Sequence, residues 1–214
     1  MNLPFVGEGL FDINPNITVT GNKNVVIVDN WYLKYEELYN VLNNTPVARW
    51  KWVEGSRNFI DYYDCRPVFP LNSLAISRQG AFIIKDIIKN YFRETSEFDL
   101  SNHIAEFNFY KNIKKDISKD LQHFPHSDRD YNALVYLDKI CSGGTALYDM
   151  PLIKNEEQFN LLHDVSNYSK KIIKAAPNRL VIFNGRQMHG GYIEDHNKYI
   201  NDWRFNQVMF FSRV

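Results

Sequence analysis

Leu180-Val181-Ile182-Phe183-Asn184-Gly185-Arg186-Gln187-Met188-His189-Gly190-Gly191 is the stretch on which the reading of the fold turns. Its four leading apolar residues, two of them β-branched, suit a short buried strand, and Asn-Gly is turn chemistry. A glycine pair follows the histidine at once and marks a second turn. The same texture reaches back to about residue 103. His103–Tyr110 alternates, with Ile104, Glu106, Asn108 and Tyr110 on one side and Ala105, Phe107 and Phe109 on the other. Asn132–Leu137, Thr145–Tyr148 and Phe205–Phe211 are further β-type runs, and Gly143-Gly144 breaks the series. Short antiparallel strands joined by turns predict an α+β, mainly β protein, with a jelly-roll core and helices packed outside it.

The first hundred residues read as mixed support for that core. Val25–Val28 is a short apolar run that suits a buried strand, and Asp29 or Asn30 offers a cap for a helix from about Trp31 to Asn43. Trp31, Tyr35, Leu38 and Leu42 fall on one face of it. A second helix is expected around Ala81 to Phe92, with Ile84, Ile87, Ile88 and Tyr91 on one stripe. Trp50, Trp52, Tyr62, Tyr63 and Phe69 lie in an irregular aromatic stretch between the two helices. Asn155 and Gln158 resemble a capping box ahead of Phe159, Leu162 and Val165, so a helical insertion is expected over about 154–176. The whole of 1–214 reads as a single domain, with 101–214 as its core.

Composition narrows the function. The chain has 214 residues, with 25 Lys+Arg against 25 Asp+Glu, so no net positive field exists to draw it to nucleic acid. Hydrophobic residues make up 44%, which excludes disorder as the main state. Cys65 and Cys141 are too few for a disulfide framework and read as buried thiols of a reducing compartment. The opening MNLPFVGEGLFDINPN has neither a basic region nor an apolar run of signal-peptide length, and no 18 consecutive apolar residues occur. A cytoplasmic protein is therefore expected, with no membrane association. Nothing in the sequence speaks to an oligomeric state.

The chemistry lies in the histidines. His126-Ser127-Asp128 sets an imidazole and a carboxylate two residues apart. On an extended segment such residues share a face, roughly 7 Å apart at the backbone, and their side chains can converge on one ion. His189 would complete a two-histidine, one-carboxylate face that leaves the opposite positions of a metal open. A bare His-x-Asp is weak evidence, since a histidine bonded to a nearby acid is the ordinary case. His123 is the natural rival to His126, but Pro125 disfavours a helix that would align them. His103, His163 and His196 read as ordinary polar residues.

Order and context add more. After His126 and Asp128 come Tyr136-Leu137-Asp138, Gly143-Gly144-Thr145-Ala146-Leu147-Tyr148, Asn178-Arg179-Leu180-Val181-Ile182-Phe183, His189, and Trp203-Arg204-Phe205-Asn206. This ordered pattern resembles the 2-oxoglutarate- and Fe(II)-dependent dioxygenases, in the branch that includes prolyl 4-hydroxylases. The likeness covers Glu106–Phe211 well and Val25–Asn43 loosely. It implies a double-stranded β-helix with His126, Asp128 and His189 as iron ligands. It also implies that Arg204 pairs with the distal carboxylate of 2-oxoglutarate, a task suited to a planar guanidinium. Tyr136 matches a tyrosine that bonds the same carboxylate, and Tyr110 and Asn206 are weaker candidates for cosubstrate contacts.

Two departures stand out. Arg204 follows His189 by 15 residues, more than is usual in prolyl-hydroxylase-like members, and the extra Glu194–Lys198 reads as a polar turn. Lys198 becomes a possible rival for the carboxylate. The segment Lys111–Asp116 lacks a glycine often found there. Arg179 is expected to support the strand leading to His189.

What the resemblance implies is an enzyme that uses Fe(II), 2-oxoglutarate and O2 to hydroxylate a C–H bond of a peptide or small molecule, releasing succinate and CO2. Two other classes stay open. One is a metal-dependent hydrolase or isomerase of the cupin type, which would need neither Arg204 nor 2-oxoglutarate. The other is a non-catalytic jelly-roll binding module, in which the ligand set would often be incomplete.

Overall fold

The computed structural model describes residues 9–44, 79–98, 125–152, 168–200 and 202–214 in full. It describes the backbone alone of residues 51–52, 57–58, 62–65, 67–68, 78 and 104–112. The N-terminal part contains β1 (Thr18–Gly21), β2 (Val25–Asp29), α1 (Tyr35–Asn44), β3 (Lys51–Trp52), β4 (Arg57–Asn58), β5 (Tyr62–Cys65), β6 (Pro67–Val68) and α2 (Arg78–Phe92). The remainder contains β7 (Ile104–Asn112), β8 (Tyr131–Tyr136), β9 (Gly144–Tyr148), β10 (Lys170–Lys174), β11 (Arg179–Asn184), β12 (His189–Tyr192) and β13 (Arg204–Phe211). A 3-10 turn, His196–Tyr199, lies between β12 and β13.

Eight strands form one sheet in the order β1-β2-β11-β8-β13-β7-β5-β4, three form a second in the order β10-β9-β12, and β3 pairs with β6. Every pairing is antiparallel.

Alternation along β8, β11 and β13 gives the large sheet two different faces. Ala133, Val135, Leu180, Ile182, Phe205, Met209 and Phe211 point one way and pack with Leu38 and Leu42 of α1 and with Ala81, Ile84, Ile87 and Ile88 of α2. Each helix thus buries the stripe that its spacing predicts. Tyr136, Val181, Phe183 and Val25 point the other way and meet Leu147 of β9 and Ile173 of β10. The second sheet lies over that face.

Three expectations are corrected. Trp31 precedes α1 and is held extended, because Asn178 receives the Tyr32 N–H on its Oδ1 at 2.8 Å and donates from Nδ2 to the Tyr32 carbonyl at 2.9 Å. The helix therefore starts at Tyr35, and neither Asp29 nor Asn30 caps it. The segment from 50 to 69 contains four short strands rather than irregular chain throughout. The helical insertion cannot run to 176: Lys170–Lys174 is a strand paired to β9, its two adjacent isoleucines suiting an extended segment. Residues 153–167, where the insertion was otherwise expected, lie outside the described residues.

Arg179 ties two strands of the large sheet together, donating from Nε and Nη2 to the Asp29 carboxylate at 2.7 and 3.2 Å. Among the described residues no helix is long and apolar enough to cross a membrane. Cys141 is a free, half-buried thiol.

The glycine pair at the head of β9 threads between its two neighbours. Gly143 has φ +93°, and a Cβ there would sit 2.0 Å from the Tyr192 carbonyl oxygen of β12. At Gly144 the obstacle is the Ile173 carbonyl oxygen of β10, at 1.9 Å. Gly143→Ala is therefore expected to cost about 3 kcal/mol, the upper end for an ordinary point substitution. Urea unfolding measures it, and an unchanged midpoint would show that the sheet yields easily here.

Candidate metal centre

His126 stands on the approach to β8, and His189 opens β12. Their backbones form an isolated antiparallel bridge, each N–H donating to the other's carbonyl at 2.8 Å. Asp128 is fixed by its own N–H, which donates to the Gly185 carbonyl at 2.8 Å. The Asn184-Gly185 turn needs a glycine there, because a Cβ would lie 2.3 Å from the Arg129 carbonyl oxygen. These contacts bring one ligand atom from each of His126, Asp128 and His189 within 4.8 Å of one another.

Asp128 Oδ2 lies 3.1 Å from His189 Nε2 and 3.6 Å from His126 Nε2. The first spacing is close to that of adjacent octahedral corners with bonds of about 2.1 Å. His189 is 4% exposed, its ring centroid 4.9 Å from that of Phe183 in a T-shaped arrangement. Its Nδ1 is 2.7 Å from the Gln187 carbonyl; N–H donation there leaves Nε2 facing the triad, a donor to Asp128 when it carries a proton and a lone-pair ligand when it does not. Burial of Asp128 works against its charge, but hydrogen bonds from His126, His189 and Asn132 outweigh it and hold the carboxyl far below its ordinary range. Two imidazole nitrogens and an ionised carboxylate suit a first-row divalent ion with positions to spare.

Asn132 is the residue that sequence reasoning missed. Its side chain is almost fully buried, and its Nδ2 lies 2.7 Å from Asp128 Oδ2 and 3.0 Å from His189 Nε2. The available signal was its position at the start of an inward-facing row, four residues before Tyr136.

Arg204 lies toward the other end of the same face. Cross-strand register pairs Asn206 with Tyr136 and Phe210 with Asn132, so Arg204, Asn206 and Tyr136 share the face that carries Asn132. Arg204 is 4% exposed and donates from Nη2 to the Gly144 carbonyl of β9 at 3.3 Å, which places its guanidinium between the sheets. The Tyr136 hydroxyl lies 2.8 Å from Thr145 Oγ1, and burial pushes it up to about 12. Asn206 is buried. Tyr110 pairs with Arg204 in backbone register; its side chain lies outside the described residues. Lys198 is exposed on the 3-10 turn, away from the buried surface that holds Arg204. His103, His123 and His163 lie outside the described residues.

His196 departs from its reading as an ordinary polar residue. It is buried, and burial together with the Arg204 charge lowers its pKa. Asp138 belongs to the same cluster: the Tyr199 hydroxyl donates to its Oδ2 at 3.0 Å and accepts the Ser142 N–H at 2.8 Å.

No family model matches the sequence, and no curated protein matches it. Solved structures do. HygX from Streptomyces hygroscopicus, crystallised with nickel, 2-oxoglutarate and hygromycin B, superposes with a TM-score of 0.54 at 12% identity, covering 89% of this chain and 83% of that one. The chain has the fold of the 2-oxoglutarate- and Fe(II)-dependent oxygenases. SnoK, an alpha ketoglutarate dependent carbocyclase from nogalamycin biosynthesis, gives 0.52 at 9% identity over 88% of this chain and 79% of that one. EctD from S. alaskensis gives 0.50 at 15% identity, covering 89% and 73%.

Burial raises the pKa of Asp138, and Arg204, Tyr199 and Cys141 are the groups that act on it. A carboxyl raised in the folded state binds its proton more tightly there than in the unfolded chain. Its effect on stability is therefore most favourable below the ordinary carboxylate range. It worsens as pH climbs from that range through the raised value. Asp138→Asn keeps an acceptor for Tyr199 and removes the titration. Urea midpoints between about pH 4 and 8 should then fall less steeply with pH than in the parent. Parallel slopes would show that Asp138 does not carry the effect.

Proposed function

We propose that this protein is a hydroxylase that uses Fe(II), 2-oxoglutarate and O2 to insert oxygen into a C–H bond of a peptidyl or small-molecule substrate, releasing succinate and CO2. We take its core as a double-stranded β-helix and its place of action as the cytoplasm. One observation carries the reading. A convergent His-Asp-His face and a buried arginine lie at two levels of one inward sheet surface, in an oxygenase fold. A water-activating hydrolase needs the first of these and not the second.

His126, Asp128 and His189 would hold the iron, which, with 2-oxoglutarate and oxygen bound, supplies the oxidising power for the hydroxylation. The rest falls to the chain. Asp128 is ionised through the physiological range and offers a full negative charge to the metal. Phe183 covers one side of the His189 ring and keeps water from it. Arg204 supplies the counter-charge for the distal carboxylate of the cosubstrate. Enclosed between two sheets, its guanidinium acts where the dielectric is low and a charged hydrogen bond is strong. Tyr136, kept protonated by burial, can donate to the same group. Asn132 and Tyr136 are four residues apart on β8, roughly 13 Å at the backbone, which sets the metal end and the arginine end of the face apart.

Anaerobic titration with Fe(II) and then 2-oxoglutarate should develop a visible charge-transfer band. His189→Ala should abolish it. Arg204→Ala should raise the 2-oxoglutarate concentration for half-saturation by roughly 10- to 100-fold, the worth of a charged hydrogen bond. A folded protein that binds a divalent metal but shows no band would favour the hydrolase or isomerase.

A further inference from the structure

The chemistry of Asn132 does not serve the fold. It sits in β8 between Phe183 of β11 and Phe210 of β13 in cross-strand register, on the face toward the second sheet. Its side chain is 1% exposed. Oδ1 is buried and has no hydrogen-bond partner among the described residues. Nδ2 makes two polar contacts, to Asp128 Oδ2 at 2.7 Å and to His189 Nε2 at 3.0 Å. A leucine of similar shape would fill this place between two phenylalanines without burying an unpaired carbonyl, so the amide weakens the packing. What it adds falls on two of the three triad atoms.

We propose that Asn132 is a positioning residue of the metal centre: its side-chain amide orients the Asp128 carboxylate through a hydrogen bond to Oδ2, holds the place beside His189 Nε2 and excludes a fourth protein ligand from that side. The inference rests on the metal-centre reading above. The geometry is tight. Asp128 Oδ2, His189 Nε2 and Asn132 Nδ2 form a triangle with sides of 2.7, 3.0 and 3.1 Å. The amide orientation is dictated by charge, since a carboxylate oxygen accepts N–H and repels a carbonyl. Gly185 preserves the space, because a Cβ there would lie 2.7 Å from Asn132 Oδ1. An N–H at the Nδ2 position can only donate; an anionic oxygen at the same place would bind the ion.

Two substitutions separate these consequences. Asn132→Leu removes the donor, and Asn132→Asp keeps the shape while replacing the donor with an anionic acceptor. Mn(II) titration followed by electron paramagnetic resonance, without 2-oxoglutarate, reads the ligand set alone. Asn132→Leu should bind Mn(II) 10- to 100-fold more weakly than the parent, the usual loss when a partner of a metal ligand is removed. Its thermal midpoint without added metal should not fall. Asn132→Asp should hold Mn(II) at least as well as the parent. It should nevertheless lose the visible Fe(II)–2-oxoglutarate band, because a fourth protein oxygen takes a position the keto acid needs. Parent-like Mn(II) affinity in Asn132→Leu, or a parent-like band in Asn132→Asp, overturns the inference. A parent that binds no Mn(II) overturns the metal-centre reading with it, and only that result removes both.

Discussion

Two backbone hydrogen bonds, from His126 N–H to the His189 carbonyl and from His189 N–H to the His126 carbonyl, hold the site together at 2.8 Å each. They join the approach to β8, in the large sheet, to the first residue of β12, in the small one. Residues 61 apart in sequence, Asp128 and His189, become neighbours through this one bridge. The side chains then need no long reach: the two imidazole centroids are 4.6 Å apart, and Asp128 completes the triangle from a strand-like position two residues on. Main-chain atoms set this arrangement, so a side-chain change at the triad removes a ligand without dismantling the frame. Gly185 extends the same frame, receiving the Asp128 N–H on its carbonyl and donating its own N–H to the Asp130 carbonyl at 3.0 Å.

The large sheet meets two different demands on its two faces. Toward α1 and α2 it is mainly apolar, with Gln207 as a buried polar residue that accepts the Tyr32 hydroxyl, and this is the stabilising side. Toward the small sheet, apolar residues such as Val181 and Phe183 alternate along the chain with the helix-facing set, and the same inward surface carries Asn132, Asn206 and Arg204. Burying that many polar groups is costly unless something pairs with them. Two of the buried oxygens without a hydrogen-bond partner among the described residues, Asn132 Oδ1 and Asp138 Oδ1, lie at the two levels where the triad and Arg204 stand. A face optimised for stability alone would hold neither.

Much of the core was legible in the sequence because a two-residue period survives in β7, β8, β11 and β13, and because Asn184-Gly185 and Gly143-Gly144 mark strand ends; Gly190-Gly191, read as a turn, instead lies within β12. Both helices were legible from their stripes. Elsewhere the local signal was weaker than the tertiary one. Trp31 fits the helical spacing of Tyr35, Leu38 and Leu42, yet Asn178, 146 residues distant from Tyr32, holds the chain extended there. Strand β10 was missed because three of its five residues are lysines, and an outer strand of the small sheet tolerates such exposure. The triad could be proposed from order and spacing. Asn132 was not, because a place at the start of an inward-facing row does not by itself announce that its side chain meets an acid four residues back and a histidine 57 residues on.

The 15 residues between His189 and Arg204 show how misleading a polar stretch can be. Glu194–Lys198 reads as a solvated turn, and Glu194, Asn197 and Lys198 are indeed exposed. Asp195 accepts the Asn197 N–H on its Oδ1 at 3.0 Å and starts a 3-10 turn. That turn sends Tyr199 inward, fully buried, to contact Asp138 and the backbone of Ser142, while Asp195 N–H donates to Ser142 Oγ at 2.9 Å. The extra length therefore places a tyrosine hydroxyl on Asp138, a buried carboxylate on which the Arg204 charge acts. The Tyr199 hydrogen bond favours the ionised form of Asp138 against the burial that raises its pKa, so the tyrosine helps set how much negative charge stands near the guanidinium. The stretch between His189 and Arg204 thus shapes the electrostatics around a buried guanidinium without altering the side chains of His126, Asp128 and His189.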